Sequence, residues 1–151
     1  MPLLENLDSD SKNKLYLSVL KKGDVLLKKF AESDHPKFFI IAGMNADKVF
    51  VCSVFINSEI HPSLRNKPKL LRLQIPIQKT ENSFLRYDSF VNCAYPIKLN
   101  GEHIASQIND GTCKPIGRVA SKDLEKIQQT LIGSGLLSDE EIELYFNVST
   151  T

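Results

Sequence analysis

The chain has 151 residues, of which 42% are hydrophobic and 25% charged, and its 19 basic and 18 acidic residues leave a net charge of +1. That length favours a single domain over residues 1–151, and the hydrophobic content excludes a chain that is disordered throughout. A net charge this close to zero does not by itself identify the chain as a nucleic-acid binder. Locally, however, bases dominate residues 12–29 and 65–72, and acids dominate residues 138–151.

The first half of the chain predicts one helix followed by three strands. A one-sided apolar stripe over residues 9–20 predicts a helix, and Gly23 after two lysines is typical of a helix end, so we expect the helix at 9–21. Apolar runs rich in β-branched residues predict strands at 24–30, 37–42 and 49–56.

The middle of the chain predicts loops, strands and tight turns. Residues 57–69 contain two prolines and no periodicity, which predicts a long loop. Residues 70–77 alternate apolar and polar positions, and Pro76 favours an edge position for this strand. Asn100-Gly101 is typical of a two-residue hairpin turn. The remaining expected elements are a polar loop at 78–88, a strand at 89–94 that ends before Pro96, and a strand at 113–119.

Two helices are predicted near the C-terminus. Ser121 is a candidate N-cap for a helix over 121–132, whose apolar positions recur at helical spacing. Ser138 and Glu141 have the spacing of a capping box, which predicts a last helix over 138–146. Many short strands with helices at the two ends predict an α+β, mainly β fold. The expected architecture is a small β-barrel over residues 22–120.

The three cysteines, Cys52, Cys93 and Cys113, form no C-x-x-C pair, which indicates neither a disulfide framework nor a zinc site. His61 and His103 have no partner at ligand spacing, so we expect neither a metal nor a cofactor. Free thiols favour a reducing compartment. Since the sequence also contains no signal-peptide pattern and no apolar run of membrane length, we expect a cytoplasmic protein without membrane association.

The order of several local motifs resembles the MazF/PemK family of toxins from toxin–antitoxin modules. Residues 23–27 (GDVLL) resemble the family's opening strand, residues 35–41 (HPKFFII) its R-P-x-[LV]-[IV]-[IV] strand, and residues 74–77 (QIPI) its V-P-[IV]-T-S strand. Residues 90–96 (FVNCAYP), with 116–119 (IGRV) and the helix at Ser121, resemble its strand–loop–helix end. The likeness covers residues 22–131 and implies an SH3-like barrel.

The resemblance also implies a function. Members of that family cut single-stranded RNA without a metal, work as homodimers and are blocked by an antitoxin protein. Cleavage through the RNA 2′-hydroxyl needs a base, an acid and a group that stabilises the phosphorane. On this chain the expected catalytic residues are His35, as base or acid, with Thr80 and Asn92 as orienting groups. The expected RNA-binding residues are Asp24, Lys37, Lys79, Arg86 and Tyr95.

The chain departs from the family pattern at the positions of its chemistry. His35 stands where the family has arginine, Gln78-Lys79 where it has Thr-Ser, and residues 92–94 (NCA) where it has R-C-D or a variant. An arginine and a carboxylate are therefore missing. This leaves a second hypothesis, a non-catalytic SH3-like interaction module that binds a protein partner, for instance through an added strand.

Overall fold

The structure, a computed structural model, describes residues 7–31 and 33–148. Five helices and six strands make up the fold within these ranges. The helices are α1 (Ser9–Val19), α2 (Pro68–Leu71), α3 (Gly101–Asp110), α4 (Ser121–Gly133) and α5 (Asp139–Phe146). The strands are β1 (Asp24–Lys28), β2 (Lys37–Met44), β3 (Phe50–Asn57), β4 (Gln74–Ile77), β5 (Ser89–Asn100) and β6 (Cys113–Arg118).

All six strands form one antiparallel sheet in the order β4-β5-β3-β2-β1-β6. The sheet is open, and β4 and β6 form its two edges. The α+β class, the N-terminal helix and the two C-terminal helices are confirmed. Pro76 lies in β4, so its predicted edge position is also confirmed, since an edge strand tolerates the missing N–H donor.

Apolar side chains cover both faces of the sheet, and a helix pair packs on each. On one face Val25, Ile40 and Val54 pack against α4 and α5, through residues such as Ile127. On the other face Leu26, Phe39 and Val51 form a second cluster with α3 and the residue that follows α1. Alternating side chains of β1 to β3 thus enter two separate cores, which explains why these strands read as apolar throughout.

β5 is twice as long as expected, because Pro96 lies inside it and does not end it. The register pairs Ser53 with Ile97 and Phe55 with Asn92. Four residues of β5, 93–96, therefore oppose a single residue of β3. A bulge of this kind leaves backbone groups outside the ladder, so the missing N–H of Pro96 removes no ladder bond there.

The predicted hairpin turn at Asn100-Gly101 is wrong, and α3 begins there. The Asn100 side chain accepts a hydrogen bond from the His103 N–H at 3.1 Å, which makes Asn100 the N-cap. Asparagine serves a turn and an N-cap equally well, so the dipeptide alone does not separate them. Glycine is required here for packing, because a Cβ on Gly101 would lie 1.7 Å from the Lys48 carbonyl oxygen.

The predicted strand over 70–77 is only half correct. Pro68 opens the short helix α2, and the strand proper begins at Gln74. Proline is favoured in the first turn of a helix, and that local signal outweighs the alternation of the leucines behind it. The predicted loop 57–69 also contains a 3₁₀ turn at Pro62–Leu64.

The C-terminal helices agree closely with the expectations. α4 begins at Ser121 with Ala120 as its N-cap, one residue before the predicted cap. At α5 the Ser138 side chain accepts from the Glu141 N–H and the Glu141 side chain accepts from the Ser138 N–H, so the capping box is confirmed. None of the helices within 7–31 and 33–148 has the length and hydropathy needed to cross a bilayer.

Candidate functional site

A groove of about 720 Å³ opens at one end of the sheet. There β2 begins, β3 ends and β5 begins, as shown by the pairing of Phe38 with Ile56 and of Asn57 with Phe90. The walls are the loop that leaves β3, over residues 58–64, and the loop that enters β5, over residues 84–87. The antiparallel order therefore brings three separate parts of the chain together.

Five of the eight predicted site residues line this groove. They come from three places: the start of β2, the loop before β5 and the body of β5. These residues are His35, Lys37, Arg86, Asn92 and Tyr95.

The other three predicted residues lie elsewhere. Asp24 forms an ion pair with Arg118 and accepts a hydrogen bond from the Lys21 N–H at 2.8 Å, so its carboxylate holds β1 to β6. Lys79 and Thr80 are exposed at the start of the loop 78–88, outside the groove lining. The Lys79 N–H donates to the Asp88 side chain at 2.9 Å, a bond that closes this loop on itself.

Asn92 has a fixed orientation. Its side-chain oxygen accepts one hydrogen bond from the Ala94 N–H at 3.1 Å and another from the Gln74 side-chain nitrogen at 2.7 Å. A backbone N–H can only donate, so the oxygen of Asn92 must face it. The amide nitrogen is then the polar end that Asn92 offers to the groove.

The bulge in β5 explains the position of Tyr95. Tyr95 is one of the residues that the bulge inserts, and it is 54% exposed beside the groove. Tyr87, in the loop before β5, is 65% exposed and lines the same groove. Exposed aromatic rings of this kind provide stacking surfaces.

The positive charge of the groove comes from Lys37 and Arg86. The Lys37 ammonium lies 5.2 Å from the centre of the Phe55 ring and 3.4 Å from the side-chain oxygen of Asn57. Both groups attract the cation, but only Asn57 belongs to the groove lining, and the Phe55 ring lies in a second cavity that Lys37 also lines. Arg86 is exposed on the opposite loop, and Glu59 is an acidic residue in the lining.

His61 lines the groove too, although the sequence analysis assigned it no role. Its Nδ1 accepts from the Ser63 N–H at 3.1 Å and lies 2.7 Å from the Ser63 hydroxyl. The neutral ring therefore carries its proton on Nε2. The pattern His-Pro-Ser, with a cap acceptor before a proline, is the only local signal for this arrangement in the sequence.

Asn82 anchors the loop that carries Arg86 and Tyr87. The residue is 1% exposed. Its side chain donates to the Gln78 carbonyl at 3.0 Å and to the Asp123 carboxylate at 2.9 Å, and accepts from the Ala120 N–H at 2.8 Å. These bonds tie the loop to the start of α4. An asparagine in a polar loop gives no sequence signal for such a role, which depends on contacts between distant residues.

The described residues contain no group of three or more His, Cys, Asp or Glu side chains arranged to hold a metal ion. The three cysteines are free and buried. Burial raises the pKa of the Cys52 and Cys93 thiols to about 12 and that of Cys113 to about 11. Since the thiolate is the reactive form, these positions do not suit nucleophilic catalysis.

The sequence matches no protein-family model and no curated protein. The residues of the groove and their geometry therefore carry the functional reasoning that follows.

Proposed function

We propose that this protein binds single-stranded RNA in the groove, as a divergent relative of the MazF/PemK toxins. The supporting observation is that Lys37, Arg86, Tyr87 and Tyr95 line one open channel. Cations that follow a phosphate backbone, combined with aromatic rings on which bases stack, are the general design of sites for single strands.

The basic segment 65–72 extends this surface. The groove wall ends at Leu64, and the four bases of the segment that follows are all exposed. A strand that leaves the groove along this wall meets Arg65, Lys67, Lys69 and Arg72. This placement of charge explains how a chain with a net charge of only +1 can offer a phosphate-binding path.

A binding experiment tests the proposal. Fluorescence anisotropy with labelled single-stranded RNA should give an affinity that falls steeply between about 50 and 200 mM salt, because each phosphate contact releases counterions. Arg86→Ala should reduce the slope of log K against log salt by about 1. Tyr95→Ala should weaken binding by about 1–3 kcal/mol through lost stacking.

Lys126→Ala is the matched control. Lys126 is exposed on α4 and outside the groove lining, so its removal changes net charge by the same amount as the loss of Arg86. It should leave the salt slope unchanged. Absence of RNA binding at low salt, or equal effects of the two substitutions, would contradict a binding role for this groove.

RNA cleavage is a second candidate activity, and the presence of two imidazoles, His35 and His61, in the groove favours it. The reaction forms a bond from the 2′-oxygen to phosphorus and breaks the bond from phosphorus to the 5′-oxygen. A base takes the 2′-hydroxyl proton and an acid protonates the leaving oxygen, and His35 suits either role because an imidazole can both accept and donate a proton. Lys37 would stabilise the charge on the phosphorane.

Incubation with long single-stranded RNA in the presence of a chelator tests this activity. Cleavage should yield 2′,3′-cyclic phosphate and 5′-hydroxyl ends, and His35→Ala should reduce its rate by about 10²–10⁴-fold while RNA binding persists. Intact RNA with the wild-type protein would leave a binding role only.

An interaction module is the alternative if RNA does not bind. The outer edge of β6 supports it, since an edge strand offers unpaired backbone groups to a partner strand. The homodimer, the antitoxin partner and the cytoplasmic location form part of the RNA proposal. Three buried free thiols support a reducing compartment.

A further inference from the structure

We infer that the groove selects bases that carry a keto group, and that it prefers uracil over cytosine because Asn92 is held as a hydrogen-bond donor. This inference rests on the proposed binding of RNA and assigns the class of nucleotide that the site reads. It depends on two side chains, Asn92 and His61, whose hydrogen-bonding roles are fixed by contacts behind them.

The orientation of Asn92 is set by a group that cannot reverse, the Ala94 N–H. The Ala94 N–H is a fixed donor, and Gln74, which is 8% exposed, supplies the second hydrogen bond from a buried position. If the carboxamide of Asn92 turned over, its N–H₂ group would face the Ala94 N–H, and a buried donor would lose its acceptor. Such a loss is costly, so the amide N–H₂ faces the groove.

His61 presents a donor for the same reason. The Ser63 N–H donates to Nδ1 at 3.1 Å, which leaves Nε2–H as the group that a ligand can meet. Lys37 and Arg86 add further donors that have no acceptor function. Four donors of the lining therefore act without a competing acceptor on the same side chain.

The pyrimidines differ in what they offer to such a set. Uracil has carbonyl oxygens at positions 2 and 4, whereas cytosine replaces the second with an amino group. An amino group that faces the N–H₂ of Asn92 leaves two donors unpaired, and sites built for hydrogen bonding discriminate strongly against such a mismatch. Stacking on Tyr87 and Tyr95 is common to both bases and does not separate them.

The test compares oligouridylate and oligocytidylate of equal length by fluorescence anisotropy. The wild-type protein should bind oligouridylate about tenfold more tightly. In Asn92→Asp the oxygen that faces Ala94 and Gln74 is kept and the N–H₂ is replaced by a second oxygen. This variant should reverse the preference, because a carboxylate accepts from the cytosine amino group.

Ser58→Asp is the matched control, since it adds the same charge to the same groove at an exposed residue that holds none of the donors. It should weaken both ligands by the same factor and leave their ratio unchanged. A measurement on the ligand needs no variant: an oligomer of pyrimidin-2-one nucleotides, which lack the 4-oxygen, should lose the advantage of oligouridylate.

The outcomes separate this inference from the proposal on which it rests. Salt-dependent binding of both oligomers with equal affinity would overturn the inference and leave RNA binding intact. A uracil preference that survives Asn92→Asp would remove Asn92 as its cause. Failure of the wild-type protein to bind either oligomer would end both proposals.

Discussion

Single residues in this protein have functions that their identity alone does not reveal. Asn100 and Asn82 are both polar residues next to apparent turns, yet one caps α3 and the other joins the loop 78–88 to α4. The sequence predicted His35, Lys37 and Asn92 as site residues, and the structure brings them to one groove. It could not predict the locked amide of Asn92, because that depends on a contact across two strands.

The glycines offer a prediction at this scale. A Cβ on Gly101 would overlap the Lys48 carbonyl oxygen at 1.7 Å, and backbone cannot yield as a flexible side chain does. We expect Gly101→Ala to lower the free energy of unfolding by about 2 kcal/mol or more, as overpacking against a rigid neighbour does. Urea denaturation followed by circular dichroism measures the change.

Gly133→Ala is the control for this substitution. Gly133 is the last residue of α4, and a Cβ there would have nothing within 4 Å. The exchange should raise the free energy of unfolding by about 0.5–1 kcal/mol, since alanine loses less backbone entropy in a helix. Equal effects of the two alanines would contradict the close approach at Gly101.

The helices and strands were predicted well where neighbouring residues determine their ends, and poorly where a partner strand determines their length. The capping box at Ser138 needs no distant contact, and α5 lies where predicted. α1 also begins where predicted, but it ends at Val19 with Leu20 as its C-cap, so the expectation that Gly23 ends this helix is wrong. The Gly23 N–H instead donates to the Ile41 carbonyl of β2, a distant contact. The length of β5 depends on β3, whose register creates the bulge that accommodates Pro96. When the partner strand is unknown, Pro96 predicts the end of the strand.

The attachment of α5 to β5 should depend on pH. Glu141 of α5 forms an ion pair with Lys98 of β5, and this hydrogen bond, followed by the one from the Ser138 N–H, lowers the pKa of the Glu141 carboxyl. A lowered pKa in the folded state means that the contribution to stability is complete above the usual pKa of glutamate. It is lost as the pH falls through the folded-state value.

Glu141→Gln should therefore lower the urea midpoint at neutral pH, and the difference from wild type should shrink on acidification below the usual pKa of glutamate. Glu143→Gln changes an exposed carboxylate of the same helix and serves as the control. Denaturation curves at several pH values provide the measurement. If the difference in urea midpoint between Glu141→Gln and wild type stays constant across that pH range, the ionised Glu141 carboxylate is not the cause of the lost stability.

At the scale of the molecule, the sheet divides the interior into two cores that share the same strands. Because β1, β2 and β3 contribute alternate residues to both, we expect the parts of the two cores that these three strands form to open together. Composition and patterning predicted a mainly β domain with terminal helices. They could not predict the second core, because Asn100-Gly101 predicted a hairpin turn where α3 begins. Ile104 of that helix completes the second core.

The cysteines report on this cooperativity, because they are distributed over both cores. Cys52 and Cys93 belong to the core under α4 and α5, and Cys113 to the core under α3. All three are at most 1% exposed, and burial raises the pKa of each thiol, so the native protein should react very slowly with a thiol reagent. Cys52 and Cys93 should react at one common rate, that of global unfolding.

Cys113 should react faster than the other two, because β6 is an edge strand that pairs only with β1 and can open locally. Peptide mapping by mass spectrometry after timed labelling in native buffer measures all three rates at once.

Adding RNA at about 100 times its dissociation constant should slow the labelling of Cys52 and Cys93 by about 100-fold, since a ligand of the folded state suppresses global opening. Cys113 should slow by less, because the edge opens without releasing the groove. Equal slowing of all three would place the opening of β6 within the global transition, and no slowing of Cys52 and Cys93 would contradict specific binding of RNA to the folded protein.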